Sequence, residues 1–206
     1  MNAERRPNDF LALIEAYDAA GDAERQRLER ELWDRFGVEK TVVVLDMAQF
    51  TRSVKRFGIV RFLARIARMR RIVREAVAAH AGTLIKFDAD NAFIVFDRSR
   101  AAIDAALAIN RNCADCNRPA DDAIQVCIGI ARGPLLVVEG GTDLYGDCVN
   151  VAAKLGEDIA GPGEILMTAE VGREVIGETA AEAVVALEEA RFDVAAVSIS
   201  GFRVIR

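Results

Sequence analysis

Histidine is nearly missing from this chain: His80 is the only one in 206 residues. Cysteine is sparse too, with four residues at 113, 116, 127 and 148. Cys113 and Cys116 form a C-x-x-C in RNCADCN, but no second pair and no histidine-rich partner accompanies them. A structural zinc usually takes four ligands, so this set falls short, and the expectation is reduced thiols in a cytoplasmic protein. No apolar run approaches the roughly 20 residues that span a bilayer. The opening MNAERRPNDF carries Arg5 and Arg6 without an apolar stretch behind them, so it does not read as a secretory signal. Positive charge is not in excess: the net charge is −5, which argues against a general binder of nucleic acid. Internal repeats and low-complexity segments are also missing.

What remains describes a globular chain. Hydrophobic residues make up 52% and charged residues 29%, enough apolar material for a core and about one good-sized domain plus an extra segment. Residues 1–40 read as helical. Asn8 is placed to cap a first helix through Phe10, Leu11, Leu13, Ile14 and Tyr17, ending at Ala20-Gly21-Asp22. Asp22 is placed to cap a second helix, with Leu28, Leu32 and Trp33 on one stripe and Gly37 closing it. So short a pair buries little by itself. It is expected to pack on the main domain or on a second copy.

The pattern changes at Lys40. Thr41–Leu45 is a β-branched run that reads as a buried strand. Ile59, Phe62, Ile66, Met69, Val73 and Val77 then recur at helical spacing, and Gly82 stops that helix. The helix is arginine-rich, with no acidic residue between 52 and 74, read here as the solvated face of an amphipathic element. Thr83–Phe87 and Asn91–Phe96 read as strands joined by Asp88-Ala89-Asp90, followed by a helix near Ala101–Asn112 and a strand through Ile124–Ile130. A short helix at Asp147–Leu155 and strands at Glu164–Thr168 and Phe202–Ile205 complete the reading. The order strand–helix–strand–strand–helix–strand predicts an α+β fold, a ferredoxin-like antiparallel sheet with helices on one face.

Two acidic residues sit at strand ends: Asp46 directly follows Val42–Leu45, and Asp90 lies in the predicted hairpin. Carboxylates on adjacent strands can bridge two divalent cations for in-line displacement at phosphorus. Hard oxygen ligands suit Mg²⁺ or Mn²⁺, which also bind substrate phosphates. Taken singly, each aspartate reads first as a turn or cap residue.

Their surroundings decide between these readings. LDMAQFT resembles the first metal-binding motif of the class III adenylate and guanylate cyclases, and HAGTLIKFDADNAFIVF resembles their second. CIGIARGPL is similar to the family's G-I-x-x-G strand, TDLYGDCVNVAAKL to its D-x-W-G-D-x-V-N-x-A-x-R motif, and GPGEILMT to the strand that follows. Order and spacing hold over about residues 41–170, so 41–206 is expected to be a nucleotidyl cyclase domain behind the 1–40 helical segment.

The resemblance implies roles by position. Asp46 and Asp90 match the two metal-binding aspartates, the backbone carbonyl of Met47 matches a further metal contact, and two Mg²⁺ or Mn²⁺ ions per site are implied. Phe50 and Thr51 lie in the loop that wraps the triphosphate. Lys86 and Asp143 match the pair that reads the base. Lysine only donates, which suits adenine N1, and ionised aspartate only accepts, which suits the exocyclic amino group, so ATP is favoured; cytosine offers a similar edge. Asn150 matches the residue that positions the ribose. Lys154 stands where the family has an arginine that stabilises phosphate charge in the transition state; the charge is kept and the bidentate fork lost. The implied assembly is a head-to-tail homodimer with shared sites, one subunit giving metal ligands and the other base readers.

Three further departures are Ala89 before the second aspartate, Gln49 in the first loop, and Tyr145 in the aromatic slot. Ala89 replaces a glycine, which costs if the turn needs positive φ. The alternatives to an ATP cyclase are a silent nucleotide-binding or regulatory module, motivated by Lys154, and a cyclase for GTP or a pyrimidine triphosphate. A diguanylate cyclase is disfavoured, since Asp88-Ala89-Asp90 stands in place of a GG(D/E)EF hairpin.

Overall fold

The computed structural model describes residues 8–48, 54–55, 58–115, 124–138, 142–178, 185–194 and 197–205. Two helices come first, α1 (Asn8–Ala19) and α2 (Asp22–Phe36). Then follow β1 (Gly37–Met47), α3 (Ile59–Ala79), β2 (Thr83–Asp88), β3 (Asn91–Phe96), α4 (Ser99–Asp115) and β4 (Val126–Val137). The chain continues with β5 (Leu144–Tyr145), α5 (Asp147–Ala153), a π-helical turn (Lys154–Ile159), β6 (Ile165–Thr168), α6 (Ala169–Glu178), β7 (Leu187–Val194) and β8 (Val197–Val204).

The eight strands form one sheet in the order β2-β3-β1-β4-β6-β8-β7, with β5 paired to β4. Its first four strands have the order of a ferredoxin-like unit, and each of their pairings is antiparallel. β4 and β6 run parallel. Alternation along β1 sorts the core into two layers. Val43, Leu45 and Met47 face α3, α4 and α6, where Phe62, Met69, Ile103, Ile109 and Val171 are fully buried. Val42 and Val44 face the other way, onto Cys148, Val149 and Ala152 of α5. Helices therefore cover both faces, not one, because α5 is too short and apolar to read as a separate layer from sequence. The second face carries the chemistry described below.

Two glycines set how closely that second layer approaches. A Cβ at Gly156 would stand 2.8 Å from Val44 O and 2.9 Å from Gly129 N, and one at Gly129 would run into the backbone of Ala152 and Gly156. The π-helical turn thus lies directly on β1 and β4, next to the end of β1. Neither position admits a larger residue without moving the turn.

The helical pair packs on the sheet. Phe10, Leu32 and Phe36 are buried against Leu136 and Val138. Trp33 is left exposed, and Phe36 takes the place expected for it on the stripe. Asp22 starts α2 without making a side-chain cap; Gly21 is the N-cap residue. Gly37 does end the helix, but β1 begins on that same residue, four positions before Thr41, because its backbone presses against Trp33 and a side chain would not fit. Three other elements escape the sequence reading: β5, α6 and β7. β4 also runs on past Ile130 through Gly133-Pro134 to Val137.

The arginine-rich α3 buries Phe62, Ile66, Met69, Ile72, Val73, Ala76 and Val77. Its arginines are not uniformly solvated: Arg65 is buried, and Arg70 and Arg74 lie over the Phe87 ring at 5.0 and 4.9 Å. His80 caps the C-terminal end of α3, its Nδ1–H donating to Ala76 O (2.8 Å). Cys113, Cys127 and Cys148 are buried, and none of the three forms a disulfide among the described residues. Cys116 lies outside the described residues. No helix among the described residues is long and apolar enough to cross a membrane.

Candidate active site

β1 delivers Asp46 at its end, beyond the apolar run, and the β2–β3 hairpin delivers Asp90. The register pairs Leu45 with Ala92 and Asp46 with Cys127, so Asp46 stands between the hairpin and β4 on the second face. Burial pushes the Asp46 carboxyl up to about 6, helped by the charges of Asp90 and Glu157 and opposed by a hydrogen bond from the Met47 backbone. Asp90 is also raised, by burial first. Two half-buried carboxylates thus lie close enough for the charge of Asp90 to raise Asp46. Cys127, beside Asp46, has its thiol pushed up to about 11 by burial and then by Asp46, so it stays protonated.

Glu157 joins this corner and was not foreseen. It lies on the π-helical turn, which Gly156 presses onto β1, and its carboxylate accepts from Asn91 Nδ2 (2.9 Å). Withdrawal from water raises its pKa, then Asp158, Asp88 and Asp90 raise it further against the pull of Lys154. The one signal in the sequence was Gly156, where the turn must touch the sheet. Asn91 keeps its Oδ1 buried with no hydrogen-bond partner.

This donor set fits a hard divalent cation. Asp46 and Asp90 supply charge, Asn91 contributes an unsatisfied buried oxygen, and Met47 sits at the strand end with its side chain buried. Among the described residues no group of three or more His, Cys, Asp or Glu side chains is gathered tightly enough to hold a metal alone. Magnesium seldom needs such a cage, since one or two carboxylates plus substrate phosphates suffice.

A second cluster lies on the same face. Lys86, on β2, donates from Nζ to Asp143 Oδ1 (2.9 Å) and sits over the Phe93 ring at 5.1 Å. Asp143 also accepts from Leu144 N at Oδ1 (2.9 Å) and from the Tyr145 hydroxyl at Oδ2 (3.3 Å). Burial works to raise Asp143, but the hydrogen bond from Lys86, then Leu144, the Lys86 charge and Tyr145 outweigh it and leave the carboxyl lowered. Residues 57 positions apart in sequence have been brought into contact.

α5 presents Asn150 on its exposed side. Lys154, at the start of the π-helical turn, is exposed and donates to Asp158 Oδ2 (2.8 Å). Phe50 and Thr51, with Gln49, lie outside the described residues. Ala89 has φ +47, so the turn before Asp90 does need the left-handed conformation. Arg70 Nη2 holds it by donating to Ala89 O (2.6 Å).

Comparison with known proteins agrees with this layout. No protein-family model matches the chain. A crystal structure of an adenylate/guanylate cyclase/hydrolase from Silicibacter pomeroyi superimposes with a TM-score of 0.71 at 27% identity, covering 82% of this chain and 98% of that one. The catalytic core of a rhodopsin-guanylyl cyclase with converted specificity, solved with ATPαS, gives a TM-score of 0.68 at 19% identity, covering 82% and 98%; at that identity the likeness is one of fold. In sequence, the protein named "Putative adenylate cyclase 3" from Rhizobium meliloti (strain 1021) is 29% identical over 140 residues, 67% of this chain. The chain spans about a quarter of that relative's length (23%). In fold and in motif order the chain is similar to the catalytic domains of class III nucleotidyl cyclases.

Proposed function

We propose that the domain converts ATP to 3′,5′-cyclic AMP and pyrophosphate. The observation that carries this reading is the Lys86–Asp143 pair, set on the same sheet face as the Asp46–Asp90 corner. Its donor and acceptor suit adenine N1 and the exocyclic amine. Asp46, Asp90 and the Met47 carbonyl would hold Mg²⁺ or Mn²⁺. When bound, the ions lower the pKa of the ribose 3′-hydroxyl and neutralise phosphate charge.

The chain's own residues do the positioning. Asn150 orients the ribose so that the 3′-oxygen lies in line with the α-phosphorus. Lys154 supplies positive charge to the phosphates, for which it must leave Asp158. Lys86 and Asp143 exchange their mutual hydrogen bond for bonds to the base, so little is left unpaired in either state. Asn150 and Lys154 being exposed fits a site completed by a second copy arranged head to tail.

One observation favours a second reading. Lys154, at the arginine position, is engaged by Asp158, which suits a domain that binds nucleotide without turnover. Incubating the chain with Mn²⁺ and each of ATP, GTP, CTP and UTP, with cyclic products read by mass spectrometry, separates the two. Cyclic AMP as the main product is expected. Metal-dependent binding without product from any nucleotide would establish the silent module instead.

A further inference from the structure

The Lys86–Asp143 pair raises a problem of register. Asp143 facing the exocyclic amine and Lys86 facing N1 read adenine. Guanine presents the reverse pattern at the same two positions, so the pair would read it only in exchanged places, lysine on guanine O6 and aspartate on guanine N1–H. The pair favours adenine only while the carboxylate keeps its own side of the lysine.

Asp143 is held from three directions. Lys86 and the Leu144 N–H meet Oδ1, and the Tyr145 hydroxyl meets Oδ2. Tyr145 follows Asp143 by two residues on the short β5, which pairs with β4 through only Leu136 and Val137. So short a strand fixes a side chain poorly. The Tyr145 ring is braced instead by Phe10 of α1, stacked at a centroid distance of 5.7 Å and an interplanar angle of 8°. Phe10 is itself 5% exposed and meets Phe36 of α2 edge-on at 5.2 Å, with 89° between planes. Tyr145 is half-exposed, so the stack does not serve to bury it in a core. A continuous line of contacts therefore runs from the helical pair through Phe10 and Tyr145 to Asp143.

We propose that Tyr145, braced by Phe10, is a specificity-determining positioning residue that holds Asp143 in the register reading adenine rather than guanine. The helical pair is thereby a part of the base-recognition apparatus and not only a covering for one sheet edge. This rests on the cyclase reading and on Lys86 and Asp143 meeting the base. Tyr145 touches Asp143, not the nucleotide.

The test compares the full chain with Tyr145→Phe, Tyr145→Leu and Phe10→Leu, measuring kcat and KM for ATP and for GTP with Mn²⁺. Tyr145→Phe keeps the stacked ring and removes only the hydroxyl. It is expected to narrow the ATP-over-GTP ratio of kcat/KM about tenfold, the scale of one hydrogen bond to a charged group, with the change in KM rather than kcat. Phe10→Leu should narrow the ratio about threefold, by loosening the ring with its hydroxyl still present. A ratio unchanged in Tyr145→Phe but altered in Tyr145→Leu makes the residue a packing element and overturns the proposal; so does a native preference for GTP. If the native chain turns over neither nucleotide, the cyclase reading fails by itself. The relative affinity for ATP and GTP, read by displacement of a fluorescent nucleotide, then decides the register proposal by the same ratios, and a chain binding neither overturns both.

Discussion

The two clusters on the second face of the sheet are built on opposite electrostatic terms. At the end proposed to read the base, Lys86, Asp143, Leu144 N and Tyr145 satisfy one another, and Asp143 is held below its ordinary range. At the hairpin end, Asp46, Asp90 and Glu157 crowd together with raised pKa values, and Asn91 Oδ1 has no partner. One end is complete before anything binds. The other is costly until positive charge arrives. Recognition of a base needs residues already in place, whereas a metal–triphosphate complex supplies its own charge, so the fold can leave that corner uncompensated.

Removing the charge at the costly end is the strongest way to break this comparison. Asp46→Asn is expected to lower Mn²⁺-dependent turnover at least about a thousandfold, since it takes away a charge that the ions and phosphates require. Metal-free stability should move the other way. The Asp46 pKa is about 6 in the fold against an ordinary 3.8, so the folded state binds more protons between those values. The unfavourable contribution of the charged form thus grows as pH rises through that window and is complete above about 6. Half-exposure screens it, leaving about 1–2 kcal/mol. Melting of the metal-free Asn variant should therefore exceed that of the native chain at pH 8 and equal it near pH 4. A variant less stable at pH 8 would show that the corner is not a store of electrostatic strain.

The satisfied end makes a contrasting prediction. Asp143→Ala leaves Lys86 with Phe93 but without its carboxylate. The expected result is a KM for ATP raised about 30-fold or more, with Mn²⁺ affinity unchanged. An equal loss of metal affinity would join the two clusters into one unit. Between the ends stands Lys154. Lys154→Arg restores the planar fork at that position, and an increase in kcat of about tenfold is expected. No change would place the limit on turnover at another residue.

The sequence exposed these two ends unequally. Asp46 and Asp90 stand out by their places at a strand end and in a hairpin, whereas Lys86 and Asp143 are singled out only by the resemblance; the structure brings the latter two into contact. The first four strands follow from apolar β-branched runs and the long helix from its apolar periodicity. Glu157 was not legible, because its place depends on a π-helical turn resting on Gly129 and Gly156, a contact between segments far apart in sequence. The Phe10–Tyr145 stack was hidden for the same reason: α1 and β5 are brought together only by the sheet. Trp33 misled in the other direction. As the largest apolar residue on α2 it seemed bound for the core, yet Phe36, nearer the turn into β1, took that place.

Strain at the hairpin corner is not only electrostatic. Ala89 holds φ at +47 immediately before Asp90, a conformation that costs a residue with a Cβ about 1–2 kcal/mol. Glycine relieves that cost, but loses about 0.5–1 kcal/mol in the entropy of the unfolded chain. Ala89→Gly should therefore gain about 0.5–1 kcal/mol, raising the melting temperature by about 2–3 °C in a chain of this size. The gain ought to be the same at pH 4 and pH 8, since no charge changes, and ought to add to that of Asp46→Asn if strain of the backbone and repulsion of the carboxylates are separate. Arg70 donates to the Ala89 carbonyl, which tests whether they are: a gain in Ala89→Gly that disappears in the double variant would mean that the turn is strained because the carboxylates push on it, and the corner would then have one source of stress instead of two.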